Sequence, residues 1–157
     1  MKFNIRQATV NDAHAICQLL AEGGKLHAQA LPTLLKSPDI SKPEKFVNDI
    51  LQDEASHILV AEVNQQVVGY IQFNHREEKE HVVVVPRSYV SVSSLIVKEE
   101  YQRQGIGKAL MQRVHEWAEE HNIDDIELNV YEFNTPAQGF YEKLGYQTIS
   151  RRMKRSK

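Results

Sequence analysis

Two glycines in the run Gln102-Arg103-Gln104-Gly105-Ile106-Gly107 stand where an apolar segment, Val90 to Val97, gives way to an amphipathic one, Ile106 to about Glu120. Glycine lets a backbone pass close to a ligand, and a helix that starts there offers N–H groups with no intrahelical partner. Those donors and the positive end of the helix dipole suit phosphate oxygens, so the spacing predicts a phosphorylated ligand. A nucleotide P-loop needs G-x-x-x-x-G-K-[ST]. Here Gly107-Lys108 is followed by Ala109, and no glycine stands five residues before Gly107, which excludes it. A dinucleotide loop is disfavoured, because its third small position is Leu110 and the loop follows mid-chain elements rather than a first βαβ unit.

The elements that must hold this loop fit one domain spanning residues 1–157. The chain is 41% hydrophobic with a formal net charge of −2, enough apolar material for one core. The near-neutral charge gives no reason to expect nucleic acid or an anionic membrane as partner. Cys17, the one cysteine, lies between Ile16 and Leu19 and reads as a small buried hydrophobe, and with no second cysteine a reducing compartment fits. No long apolar segment follows Met1, and the longest apolar run, Val82 to Val85, is far too short to span a bilayer. A cytoplasmic location is the expectation.

Periodicity gives the order βααβββαβαβ, an α/β (α+β) domain. Phe3 and Ile5 mark a short strand. Thr9 and Asp12 form a capping box before a helix with Ile16, Leu19 and Leu20 on one face, ended by Gly23-Gly24. Lys25 to Ile40 reads as irregular. Ser41-Lys42-Pro43-Glu44 starts a helix that buries Phe46, Val47, Ile50 and Leu51. His57–Val63 and Val67–Phe73 form a hairpin, Arg76 to Glu80 a charged loop, and Val82 to Val85 a continuing strand pair before Tyr89–Val97. The helix after the glycines packs Leu110, Val114, Trp117 and Ala118. Asp125–Tyr131 is a strand, Asn134-Thr135-Pro136 opens a last helix with Phe140, Tyr141 and Leu144 inward, and Tyr146 to about Met153 is a closing strand.

Gln102 to Gly107 matches the R/Q-x-x-G-x-G/A signature of the GNAT superfamily of acyl-CoA-dependent N-acetyltransferases. A second segment, Asn134-Thr135-Pro136-Ala137 followed by Phe140-Tyr141-Glu142-Lys143-Leu144-Gly145-Tyr146, resembles that family's N-x-x-A-x-x-F-Y-x-x-x-G-F. Both motifs occur in order, each on the expected element, so the resemblance covers nearly the whole chain. It implies a twisted, mixed but mostly antiparallel sheet, with helices on both faces and a splayed parallel strand pair. It also implies acetyl-CoA as cosubstrate, with no metal, and a small-molecule or peptide amine as acceptor. A homodimer stays open.

By that resemblance, Leu95, Ile96 and Val97 pair through their backbone with the pantetheine arm, as an added strand pairs with a sheet edge. Gln102, Arg103, Gln104, Gly105, Ile106, Gly107 and Lys108 hold the pyrophosphate, mainly through main-chain N–H groups. Asn134 is implied to hydrogen-bond the cofactor arm, with Ala137 in the same cofactor-binding motif; Asn is also a favoured N-cap, and Asn134 can do both. Tyr141 is the implied general acid that protonates the departing thiolate, a phenol remaining protonated at neutral pH. Backbone N–H groups near Val97 would steady the oxyanion. Some relatives carry a carboxylate base before the pantetheine strand, where this chain has Ser91, Ser93 and Ser94. A water chain, an already neutral amine, or Glu127, Tyr131, His81 or His27 are the alternatives. The acceptor pocket is expected around Gly23 to Ile40 and His75 to Arg87, with His27, Leu31, Phe73 and Tyr89 as candidate lining. An acyl-CoA-binding regulatory or partner-binding module without turnover is the competing reading.

Overall fold

The computed structural model describes residues 2–157. Five strands follow the chain order across one sheet: β1 (Asn4–Gln7), β2 (Ser56–Val63), β3 (Gln66–Glu78), β4 (Arg87–Val97) and β5 (Asp125–Leu128). The first four pair antiparallel and β4–β5 is parallel. Helices α1 (Ala13–Ala30) and α2 (Pro43–Leu51) cover one face, where Ile16, Leu19 and Val47 meet Ile58, Val60 and Tyr70. Helices α3 (Ile106–Glu120) and α4 (Thr135–Lys143) cover the other, where Leu110, Met111 and Val114 meet Ile71, Phe73, Val90 and Val92. This alternation of inward residues between two faces is what a sheet covered on both sides requires.

Local chemistry sets several joints. The β2–β3 hairpin turns on Asn64 and Gln65, both with positive φ, as a two-residue type I′ loop demands. The Thr9 N–H donates to Asp12 Oδ2 at 2.8 Å, the reciprocal half of the expected capping box, over a single 3-10 turn that leads into α1. Arg6 donates to both Asp12 oxygens at 2.8 Å and to both Glu62 oxygens at 2.9 Å, tying β1, β2 and the entry of α1 together. That guanidinium holds the Asp12 and Glu62 carboxyls below the ordinary carboxylate range.

Five sequence expectations about the elements are corrected. Helix α1 does not end at Gly23-Gly24 but runs to Ala30, one residue short of the Leu31-Pro32 step, so Lys25–Ala30 is helical rather than irregular. Those glycines serve close approach: a Cβ on Gly23 would lie 2.8 Å from Ile96 Cδ1, and one on Gly24 2.3 Å from Pro38 Cδ. Arg76–Glu78 is strand, not loop, because Glu78 pairs across to Arg87, whose Nε donates to Glu78 Oε2 at 2.8 Å. Val82–Val85 forms no strand pair. It is a turn closed by His81 and Val84, with Val82 and Val83 about as exposed as side chains can be. Finally, β5 stops at Leu128 and Tyr146–Met153 forms no strand. The arm from Gln147 onward is exposed and finds no ladder among the described residues.

Candidate active site

The site begins with a defect in β4. Gln72 pairs with Ser94 and Phe73 with Val92, so Ser93 is an extra residue, a β-bulge. The bulge shifts the side-chain alternation by one. Val90 and Val92 point into the α3 face, and beyond the bulge it is Leu95 and Val97 that do so, while Ser94 and Ile96 turn to α1. It also ends the parallel pairing. β5 accompanies β4 only over Tyr89–Val92, so Leu95, Ile96 and Val97 have β3 on one side and no strand on the other.

Hydrogen bonding fixes which backbone groups face that gap. The Lys98 N–H donates to Val68 O at 2.8 Å, toward β3. Groups alternate along a strand, so the Ile96 N–H also faces β3, and the N–H groups of Leu95 and Val97 face outward. The outward Val97 carbonyl accepts from Gln102 Nε2 at 2.9 Å. The Leu95 N–H and C=O and the Val97 N–H are left as the pairing groups of a strand edge.

The loop beyond is built to leave donors free. Gln102 anchors it to β4, and Gln104 Nε2 donates to Glu100 O at 2.9 Å. Ile106 is buried and pins the start of α3. Arg103 and Gly105 take φ of 59° and 89°; glycine accepts this at no steric cost. The first intrahelical donor is Ala109, to Gly105 O at 2.9 Å. Among the described residues, the N–H groups of Arg103, Gln104, Gly105, Ile106, Gly107 and Lys108 bond no acceptor on the chain. Arg103 and Lys108 are exposed beside them. This is an anion cradle made from backbone, next to the open edge of β4.

Helix α4 supports the cradle. A Cβ on Gly107 would sit 3.5 Å from Phe140 Cζ, an ordinary contact, so the chain itself leaves room there for a small side chain. Asn134 is the N-cap of α4, its Oδ1 accepting from the Ala137 N–H at 3.3 Å, which is the structural half of its two expected roles. Tyr141 lies edge-on between Phe140, at 5.1 Å, and Tyr146, at 5.8 Å. Burial pushes its hydroxyl up to about 12, so it is protonated at neutral pH, and no side chain among the described residues occupies it. A protonated phenol free of partners can donate a proton to a leaving group.

The serines of β4 are not free. Ser93 Oγ donates to Asn74 Oδ1 at 2.8 Å, the Asn74 amide reaches Ser56, and Ser94 Oγ shares a 2.7 Å hydrogen bond with the fully buried Tyr70 hydroxyl. These polar links beneath the bulge escaped sequence reading; their one trace was polar residues at positions that a strand of this kind buries. Of the four candidate proton acceptors, Glu127 is ion-paired with Arg87, and His81 sits in the exposed turn before β4. His27 and Tyr131 come together, ring centroids 5.6 Å apart, with Phe133 5.3 Å from His27. His27 Nδ1 donates to Gly23 O at 2.9 Å, leaving Nε2 with its lone pair. Because Gly23 abuts Ile96, and Tyr131 and Phe133 follow β5, this histidine spans the mouth of the split between β4 and β5. Phe73 does not line this pocket. It is buried on the α3 face against His57 and Trp117, which corrects that expectation, and Tyr89 lies under the Arg87 guanidinium.

Among the described residues, no helix is long and apolar enough to cross a membrane. Residues 26–146 match the Acetyltransferase (GNAT) family model. An N-alpha-acetyltransferase of Sulfurisphaera tokodaii is 30% identical over 94% of this chain and 82% of its own. Among solved structures, a mutant BH1408 protein from Bacillus halodurans has a TM-score of 0.92 at 25% identity, covering 98% of each chain. A ribosomal-protein-alanine N-acetyltransferase from Brucella melitensis has a TM-score of 0.71 at 25% identity, covering 99% of this chain and all of that one. The family match over residues 26–146, with a mostly antiparallel sheet and a split parallel β4–β5 pair, shows that the chain belongs to the GNAT family of acetyltransferases.

Proposed function

We propose that this acyltransferase moves an acetyl group from acetyl-CoA to a primary amine, and that the amine is the α-amino group of a peptide or protein. The observation that carries the donor half is the row of six unpaired N–H groups from Arg103 to Lys108 beside the open edge of β4. That pairing of an anion cradle with an amide-accepting edge suits a molecule with a pyrophosphate at one end and an amide-rich arm at the other. The peptide half rests on the relatives, one named an N-alpha-acetyltransferase and one a ribosomal-protein-alanine N-acetyltransferase.

In this reading the neutral amine attacks the thioester carbonyl directly. The outward N–H of Leu95 or Val97 steadies the oxyanion, and collapse expels the thiolate, which takes the Tyr141 proton. The proton lost by the amine goes to His27 Nε2, directly or through water. Its tautomer, set by Gly23 O, favours it over the ion-paired Glu127. The missing carboxylate on β4, with Ser93 and Ser94 already hydrogen-bonded, favours one rival, an acyl-CoA-binding module without turnover. Thiol release from acetyl-CoA, measured against peptides with free α-amines, polyamines and aminoglycosides, separates the two. Turnover confined to peptides is expected. CoA binding without turnover on any amine would leave the module.

A further inference from the structure

β4 carries an ambiguity that its apolar residues cannot resolve. Up to Val92 it alternates, with Val90 and Val92 buried and Ser91 between them. Beyond the bulge come three apolar residues in a row, Leu95-Ile96-Val97. A strand slipped by one residue would trade Leu95 and Val97 for Ile96 on the α3 face at little apolar loss, so the hydrophobic pattern leaves this stretch weakly specified. The backbone is not indifferent. Slipped, Leu95 would stand opposite Tyr70 in place of Ile96, and the Leu95 and Val97 N–H groups would turn from the open edge to β3.

Polar contacts remove the ambiguity. Ser93 and Ser94 are neighbours, yet both side chains reach the same face of β3. Ser93 Oγ donates to Asn74 Oδ1 at 2.8 Å, and Ser94 Oγ shares its 2.7 Å hydrogen bond with the fully buried Tyr70 hydroxyl. Tyr70 and Asn74, four apart along the strand, share that face. A bulge is what lets adjacent residues of β4 do the same. The Asn74 end is itself held. Its amide donates to Ser56 Oγ, on its partner residue in β2, and Ser56 Oγ donates to Asp53 Oδ2 at 2.9 Å. A carboxylate only accepts, so Asp53 sets the direction of the whole row. Ser56 must give its one proton to Asp53, and Asn74 must turn its amide to Ser56 and its carbonyl to Ser93. Asn74 and Ser56 are only 6% and 9% exposed, so losing the bulge would leave buried polar groups without partners.

We propose that Asn74 is a positioning residue of the acyl-donor site. Anchored through Ser56 to Asp53, and seconded by Tyr70, it locks the bulge at Ser93 and with it the register that presents the Leu95 and Val97 N–H groups outward. It touches no substrate, acts through β4, and matters to turnover on the reading that this edge seats the donor's amide arm.

Amide exchange by NMR, beside calorimetric titration of CoA, tests this on the full chain. In the wild type the Ile96 and Lys98 amides, which face β3, should be protected, and those of Leu95 and Val97 should exchange faster. In Asn74→Leu, close in volume but without polar groups, that contrast should collapse or invert, and the dissociation constant for CoA should rise at least about tenfold. Ser93→Thr keeps the hydroxyl and should match the wild type in both readouts. Ser93→Val, the same shape without it, should move both in the direction of Asn74→Leu. Ser93 is exposed, so this pair decides the matter if Asn74→Leu does not fold. A Val variant equal to the Thr variant would overturn the proposal. So would Asn74→Leu with a lower melting temperature but wild-type protection and CoA affinity, since Asn74 would then serve stability alone. Inverted protection with unchanged CoA affinity would keep the lock and contradict the donor reading of the edge.

Discussion

The donor and acceptor halves proposed for this site are made from different materials. The donor half is backbone: the edge of β4 beyond its bulge and the N–H groups of Arg103 to Lys108, held by Gln102, Gln104 and Ile106. The acceptor half is side chains: His27 from α1, and Tyr131 and Phe133 from the segment after β5, with Ile96 beneath. Backbone donors recognise phosphate and amide whatever side chains surround them, so that half suits one invariant donor. Side chains set polarity and shape, so in the proposed reading the other half would select the amine.

The sharpest break in the comparison comes from Tyr141→Phe. If its hydroxyl protonates the thiolate, kcat falls by about 10²–10³ while CoA affinity holds, because the ring and its contacts with Phe140 and Tyr146 survive. Steady-state turnover beside a CoA titration reads both. His27→Gln should lower kcat/KM for the amine by about tenfold to a hundredfold with the KM for acetyl-CoA unchanged. An unchanged kcat/KM would transfer the proton to water alone.

Smaller effects test the frame that both halves share. Asp12→Ala removes the carboxylate that joins Arg6 to the entry of α1, and should cost about 2 kcal/mol, lowering the melting temperature by about 5 °C. The pH dependence follows from the same pair. Arg6 depresses the Asp12 and Glu62 carboxyls in the folded state, so their stabilisation is complete above the unfolded values near 4 and disappears as pH falls through the depressed ones. Melting followed from pH 7 down to about 3 should show that loss for the wild type and a shallower one for Asp12→Ala.

The loop and helix starts of the proposed donor half were legible in the sequence because their parts are local. Gly105 and Gly107 at a strand-to-helix junction, and Asn134 before Pro136, specify their conformations within a few residues. Gly23-Gly24 misled because glycine serves two ends: neither residue has positive φ, and both are there for close approach to Ile96 and Pro38, which only tertiary packing reveals. Arg76 to Glu78 looked like solvated loop because the partner of Glu78, Arg87, lies nine residues on across a hairpin. Tyr146 to Met153 reads as a closing strand, and among the described residues it finds no ladder to join. His27 carried no signal beyond its type. What distinguishes it is a contact with Tyr131 and Phe133 about a hundred residues away, beyond any local pattern.

The central claim is that the loop from Arg103 to Lys108 receives the pyrophosphate of the acyl donor. Calorimetric titration of CoA into wild type and Gly107→Glu tests it most directly, since a Cβ at Gly107 meets Phe140 only at an ordinary contact distance and the variant adds a negative charge to a residue of the cradle. A loss of affinity of at least about a hundredfold, with helix content retained, is the predicted result, from repulsion between like charges and the lost approach to backbone N–H groups. Wild-type affinity in Gly107→Glu would contradict the account.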